Sequence, residues 1–146
     1  MRTRVHYTES KSGIETIAAA ISQQAGQVME KLLPAYMPER VALLFLGSDD
    51  HGGKPDKLAL EFVSSLNKER VNYAALYGTS PKKNTAHLEV LRKALTEHGV
   101  TVLPDVFVCS GKGGLFSGGS LPTEADAQAA AAFAQRAMAE VEKKMG

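Results

Sequence analysis

Cysteine is almost missing from this 146-residue chain. Cys109 stands alone, so no internal disulfide can form, and it has no Cys or His partner at metal-ligand spacing; disulfide and metal staples are both excluded as the basis of stability. An excess of one charge sign is also lacking. With 17 Lys and Arg against 16 Asp and Glu, the net charge is +1, without the positive field of a dedicated nucleic-acid binder, and no nucleic-acid partner is expected. No apolar run approaches the roughly 20 residues that span a bilayer. The start, Met1-Arg2-Thr3-Arg4-Val5, carries charge with no apolar stretch after it, so a soluble, cytoplasmic protein without a membrane partner is the expectation. There is no internal repeat. What is present is an apolar share of 44%, enough for one continuous core and a single domain over residues 1–146.

The most informative stretch is a strand-like run from Arg2 to Tyr7, followed by the polar turn Thr8-Glu9-Ser10-Lys11-Ser12-Gly13 and a helical run from Ile14. A hydroxyl- and Gly-rich turn at a helix N-terminus offers backbone N–H groups, hydroxyls and a positive dipole end to a phosphate. Two later strand-like runs also end in Gly-plus-polar turns, Gly47-Ser48-Asp49-Asp50-His51-Gly52-Gly53 and Gly78-Thr79-Ser80-Pro81-Lys82-Lys83. In an open parallel sheet such turns emerge together on the edge where ligands bind.

Ile14, Ile17, Ala18, Ile21 and Ala25 repeat at helical spacing, which predicts a helix packed on a sheet. Residues 26–33 fit either a short edge strand or an extension of that helix, and a short edge strand is the preferred reading. Val41 to Leu46 is a continuous apolar run, the mark of a strand buried on both faces, and should be central. A helix is predicted from Lys54-Pro55-Asp56 onward with Pro55 in its first turn, a strand over 71–77, a helix over 81–98 stopped by Gly99, and a last strand over 100–108 interrupted by Pro104 at the sheet margin. A Gly-rich loop from Ser110 to Gly119 precedes Thr123 and Asp126, which are placed as a capping box for an Ala-rich helix running to about Lys144. The alternation predicts an α/β fold, a doubly wound parallel sheet covered on both faces in three α/β/α layers.

In order and spacing, Thr8 to Ala18, Leu44 to Ser48, Ala75 to Thr79, Phe107 to Gly113 and Leu121 to Asp126 resemble the flavodoxin family over nearly the whole chain. The resemblance implies the strand order 2-1-3-4-5, here with a short or stunted edge strand 2, and FMN bound at the switch point between strands 1 and 3; flavodoxin is the standard instance of this arrangement. It further implies that the first loop, Thr8, Ser10, Lys11, Ser12, Gly13, Ile14 and Glu15, holds the FMN phosphate, with Glu15 standing where the family has a hydroxyl unless a one-residue slip brings in Thr16. Ser48, Asp49, Asp50, His51 and Gly52 would border the flavin ring, an acidic pair and a histidine where the family places an aromatic residue. Gly78, Thr79 and Ser80 would supply backbone N–H groups toward the ring's pyrimidine edge.

The function so implied is that of an FMN-binding electron-transfer protein shuttling electrons between redox partner proteins, a carrier more than a stand-alone catalyst. Two alternatives stay open: an interaction protein of this fold that has lost FMN, and a small NAD(P)H-dependent flavin or quinone reductase. Plainer readings also stand beside the site residues. Ser10 to Gly13 could be an ordinary helix cap, His51 an exposed turn residue, and Asp49 and Asp50 an Asx-turn pair. Cys109 reads as a small, partly buried residue, and Lys112 and Phe116 as a possible docking rim in a flexible loop.

Overall fold

The computed structural model describes residues 1–33, 37–113 and 118–146. Elements are β1 (Thr3–Tyr7), α1 (Ile14–Ala25), β2 (Met29–Lys31), β3 (Val41–Asp49), α2 (Lys57–Ser64), β4 (Val71–Ser80), α3 (Ala86–Glu97), β5 (Thr101–Val102), β6 (Phe107–Ser110) and α4 (Glu124–Met145). All strand pairings in the sheet are parallel. The order is β2-β1-β3-β4-β5, and β6 also pairs with β4. β5 and β6 are therefore two pieces of one fifth position. They are separated at Pro104, where two extra residues lie between the Ala74↔Val102 and Tyr77↔Phe107 pairs.

The apolar run predicted to be central is central, and every residue of β3 is buried. Its side chains alternate between two cores, as a strand's period of two requires. Leu43 and Phe45 face α1 and α4 together with Ala75 and Tyr77 of β4, while Leu44 and Leu46 face α2 and α3 with Ala74 and Leu76. Helix α1 packs against α4, and α2 against α3, giving the three layers. The edge strand β2 pairs with β1 over only three positions, Val5↔Met29 to Tyr7↔Lys31. Thr123 accepts from the Asp126 N–H, and Asp126 accepts from the Thr123 N–H, completing the capping box that starts α4.

Four boundaries differ from the sequence reading. Ser48 and Asp49 belong to β3, and Gly78, Thr79 and Ser80 to β4, because these two strands continue pairing past the end of β1 as far as Asp49↔Thr79. Helix α3 starts at Ala86, five residues later than expected, because the Ser80 hydroxyl accepts the Asn84 N–H and Lys83 takes a left-handed φ of 58°. Pro55 lies before the first turn of α2, whose cap is Asp56, with Oδ1 accepting from the Leu58 N–H at 2.8 Å. The part of the Gly-rich loop at 114–117, Phe116 included, lies outside the described residues. Among the described residues no helix is long and apolar enough to cross a membrane.

Candidate functional site

The C-terminal ends of β1, β3, β4 and β6 meet around a cleft of about 330 Å³. Ser10, Lys11 and Ser12 come from the first loop, Asp49, Asp50 and His51 from the end of β3, Thr79 and Pro81 from β4 and beyond, and Gly111, Lys112 and Gly113 from beyond β6. A larger groove, about 510 Å³, runs between α1 and α4, but it is lined by alanines, glutamines, Thr16 and Glu124, away from the converging strand ends.

The first loop is tied internally by hydroxyls. Ser10 Oγ and Ser12 Oγ are 2.6 Å apart, and the Ser12 N–H donates to Ser10 Oγ at 3.1 Å. Ser12 is buried, and Thr79 Oγ1 donates to its Oγ at 2.8 Å. The Lys112 N–H donates to the Ser12 carbonyl at 3.1 Å, so the loop after β6 closes against the first. Gly13 caps α1 without a side-chain hydrogen bond, at φ 90°, a conformation favouring glycine. A Cβ there would also stand 2.4 Å from Pro122 Cδ. The N–H groups of Gly13, Ile14 and Glu15 have no acceptor among the described residues, which leaves the dipole end of α1 open to an anion. The Ile14 side chain is fully buried in the core, and Glu15 is exposed on the first turn. Thr8 is buried at the end of β1, its N–H donating to the Gly47 carbonyl and its Oγ1 without a hydrogen-bond partner.

The second loop is a small hairpin. His51 and Lys54 exchange backbone hydrogen bonds around Gly52 and Gly53, whose φ values of 65° and 90° are those a tight turn of this kind needs. Asp50 differs from the expected Asx turn, its Oδ1 accepting from the Gly53 N–H three residues on at 2.7 Å, and its Oδ2 accepts from Ser80 Oγ at 2.8 Å. His51 is half exposed, with Nε2 3.0 Å from Asp49 Oδ1 and 3.4 Å from Asp56 Oδ2. This trio is the one His-carboxylate grouping among the described residues close enough to share a cation. The imidazole proton and the cap bond of Asp56 already account for its arrangement. Ser48 Oγ donates to the Asp49 carbonyl and accepts from the Asp56 N–H, which is structural work within the turn.

Gly78 lies inside the ladder between Ser48 and Val108, and a Cβ on it would meet the Ser48 carbonyl oxygen at 2.2 Å. It permits close strand approach and does not sit in a loop facing a ligand. Sequence reasoning put Pro81 in the third turn without a site role and missed Gly111, Gly113 and the cleft-lining role of Lys112. The available signal was that a fifth parallel strand must end at the same edge as the other three. Cys109 is buried on β6, and burial pushes its thiol up to about 12.

The donor set fits the phosphate end of FMN: two mutually bonded serines, free first-turn N–H groups and the Lys11 ammonium. At the other end Asp49, Asp50, His51 and Pro81 line the cleft, and among the described residues no Phe or Tyr ring does.

No protein-family model matches the chain, and no curated protein matches it in sequence. Solved structures do resemble it. A flavodoxin from the domain Archaea aligns with a TM-score of 0.67 at 15% identity over 97% of this chain and 99% of that one. Oxidised flavodoxin 2 from Bacillus cereus aligns with a TM-score of 0.70 at 14% identity over 92% and 96%. Rubredoxin oxygen:oxidoreductase from Desulfovibrio gigas aligns with a TM-score of 0.68 at 14% identity over 99% of this chain and 37% of that one. The chain has a flavodoxin-like fold.

Proposed function

We propose that this flavodoxin-like chain binds FMN at the cleft and carries electrons between redox partners. The observation that supports the reading most is the open N-terminus of α1 beside the hydrogen-bonded pair Ser10 and Ser12, an anion cradle at the topological switch point between β1 and β3. Ser12, Lys11 and the N–H groups of Gly13, Ile14 and Glu15 would hold the phosphate. Asp49, Asp50, His51 and Pro81 would border the ring. Bound FMN supplies one- and two-electron chemistry, and the protein sets its binding and potential. Carboxylates at the ring end disfavour added negative charge there, whereas a protonated His51 would favour it.

One observation favours a second reading, an interaction protein without cofactor: among the described residues no Phe or Tyr side chain lines the cleft. The two are separated by titrating the wild type, Ser12→Ala and Gly13→Asp with FMN. The carrier reading expects saturable binding by the wild type, weakened in both variants and more in Gly13→Asp, which adds charge and loses close backbone approach. It also expects the loaded chain to relay electrons from a flavoprotein reductase to cytochrome c, with no turnover of NADH or NADPH on its own. A wild type that binds no FMN moves the assignment to the interaction protein.

A further inference from the structure

Below the cleft lies a fully buried imidazole that the phosphate reading does not use. His87 sits in the first turn of α3, with no exposed surface. Gly78 leaves it room, since a Cβ there would be 2.9 Å from His87 Nε2. Nε2 lies 3.2 Å from the Ser48 carbonyl oxygen, which can only accept, so Nε2 carries the proton and Nδ1 of the neutral ring is a bare acceptor. Nδ1 has no hydrogen-bond partner and faces Asp50 Oδ1 at 4.0 Å. That carboxylate is the one already joining the Gly53 turn to Ser80 of β4.

We propose that Asp50 and His87 are positioning residues of the cleft that act as a proton-operated clamp. A proton taken from solvent at His87 Nδ1 turns the stand-off with Asp50 Oδ1 into a charge-assisted hydrogen bond and draws the loop at 50–53 onto the first turn of α3. Asp50, Asp49 and His51 are the charged or titratable groups that face His87 from β3 and the turn after it. Burial holds its pKa below the ordinary 6.5, against the pull of Asp50 and Asp49. The N–H groups at the start of α3 also disfavour a cation. The clamp is therefore open at neutral pH and closes in acid. Its effect on a bound ligand rests on the flavin reading, whereas the clamp itself does not.

The test follows the His87 ring and the Gly53 amide by NMR in the full chain as the pH is lowered from 7.5, with FMN titrated over the same range. The clamp requires both signals to move together with one midpoint below 6.5. Asp50→Asn should lower the His87 midpoint further and abolish the Gly53 response. The FMN dissociation constant should change across that midpoint by about threefold or more beyond the change in His87→Gln, which retains the titration of the phosphate itself. A Gly53 amide that ignores His87 in the wild type, or a His87 midpoint indifferent to Asp50→Asn, overturns the clamp. FMN affinity with the same pH profile in wild type and His87→Gln overturns the positioning role. If FMN binds at no pH while Gly53 still follows His87, the flavin reading fails and the clamp holds.

Discussion

Thr79 Oγ1 donates a hydrogen bond to Ser12 Oγ at 2.8 Å, and this buried contact ties the end of β4 to the loop after β1, 67 residues away in sequence. It fixes the Ser12 hydroxyl, which also bonds Ser10 and stands one residue before the Gly13 cap of α1. Thr79→Val keeps the shape and removes the donor, so it should lower stability to urea by about 1–2 kcal/mol and weaken FMN binding. Unchanged urea midpoint and affinity would show that the hydroxyl contact positions nothing.

Gly13→Ala meets two obstacles at once, a φ of 90° and Pro122 Cδ 2.4 Å from the new methyl. The expected loss is about 2 kcal/mol or more, read from chemical unfolding. A variant as stable as the wild type would mean that the Leu121-Pro122 segment shifts freely.

Glu15 is exposed on the first turn of α1, close to where a dianion would sit. Glu15→Thr restores the hydroxyl of the resembled loop and removes a like charge, so FMN should bind about threefold to tenfold more tightly. The helix should lose about 0.5 kcal/mol, because a carboxylate at its N-terminus is favourable. Opposite signs for affinity and stability in one variant are the signature to look for.

The architecture was legible because its strongest signals are local. Val41 to Leu46 can only be a strand covered on both sides, and Ile14, Ile17 and Ile21 mark one helix face. The first loop was legible for the same reason, as its hydroxyls, Gly13 and the start of α1 are contiguous. Strand ends were harder to see. Ser48, Asp49, Thr79 and Ser80 have the composition of loop residues, yet they are buried strand residues: Thr79 and Ser80 bond side chains of facing loops, Asp49 meets His51, and Ser48 bonds backbone groups of its own turn. The pairing of Asp50 with Ser80 and its approach to His87 depend on neighbouring elements that no spacing in the sequence brings together.

His6 and His87 are both buried, and burial is the largest influence holding each below 6.5. The unfolded chain therefore takes up these protons first as the pH falls. Their contribution is constant above about 6.5, and stability is lost below it, with a slope of up to about 1.4 kcal/mol per pH unit for each histidine until the folded form titrates. Urea unfolding between pH 7.5 and 5.5 should show this decline. A flat profile would mean that neither histidine is kept neutral by the fold.

Cys109 is 2% exposed and its thiol is pushed up to about 12. Alkylation of the native chain at pH 8 should be far slower than that of the urea-unfolded chain. Equal rates would place the thiol at the surface.

If the first loop grips a phosphate, FMN and riboflavin must bind differently. Titrating the chain with FMN beside riboflavin, by visible absorption and fluorescence, isolates that group, because the two ligands share the ring and differ in the phosphate. We expect saturable FMN binding at least about tenfold tighter than riboflavin, the scale of a few charge-assisted hydrogen bonds. Equal affinities, or no binding of either, would contradict it.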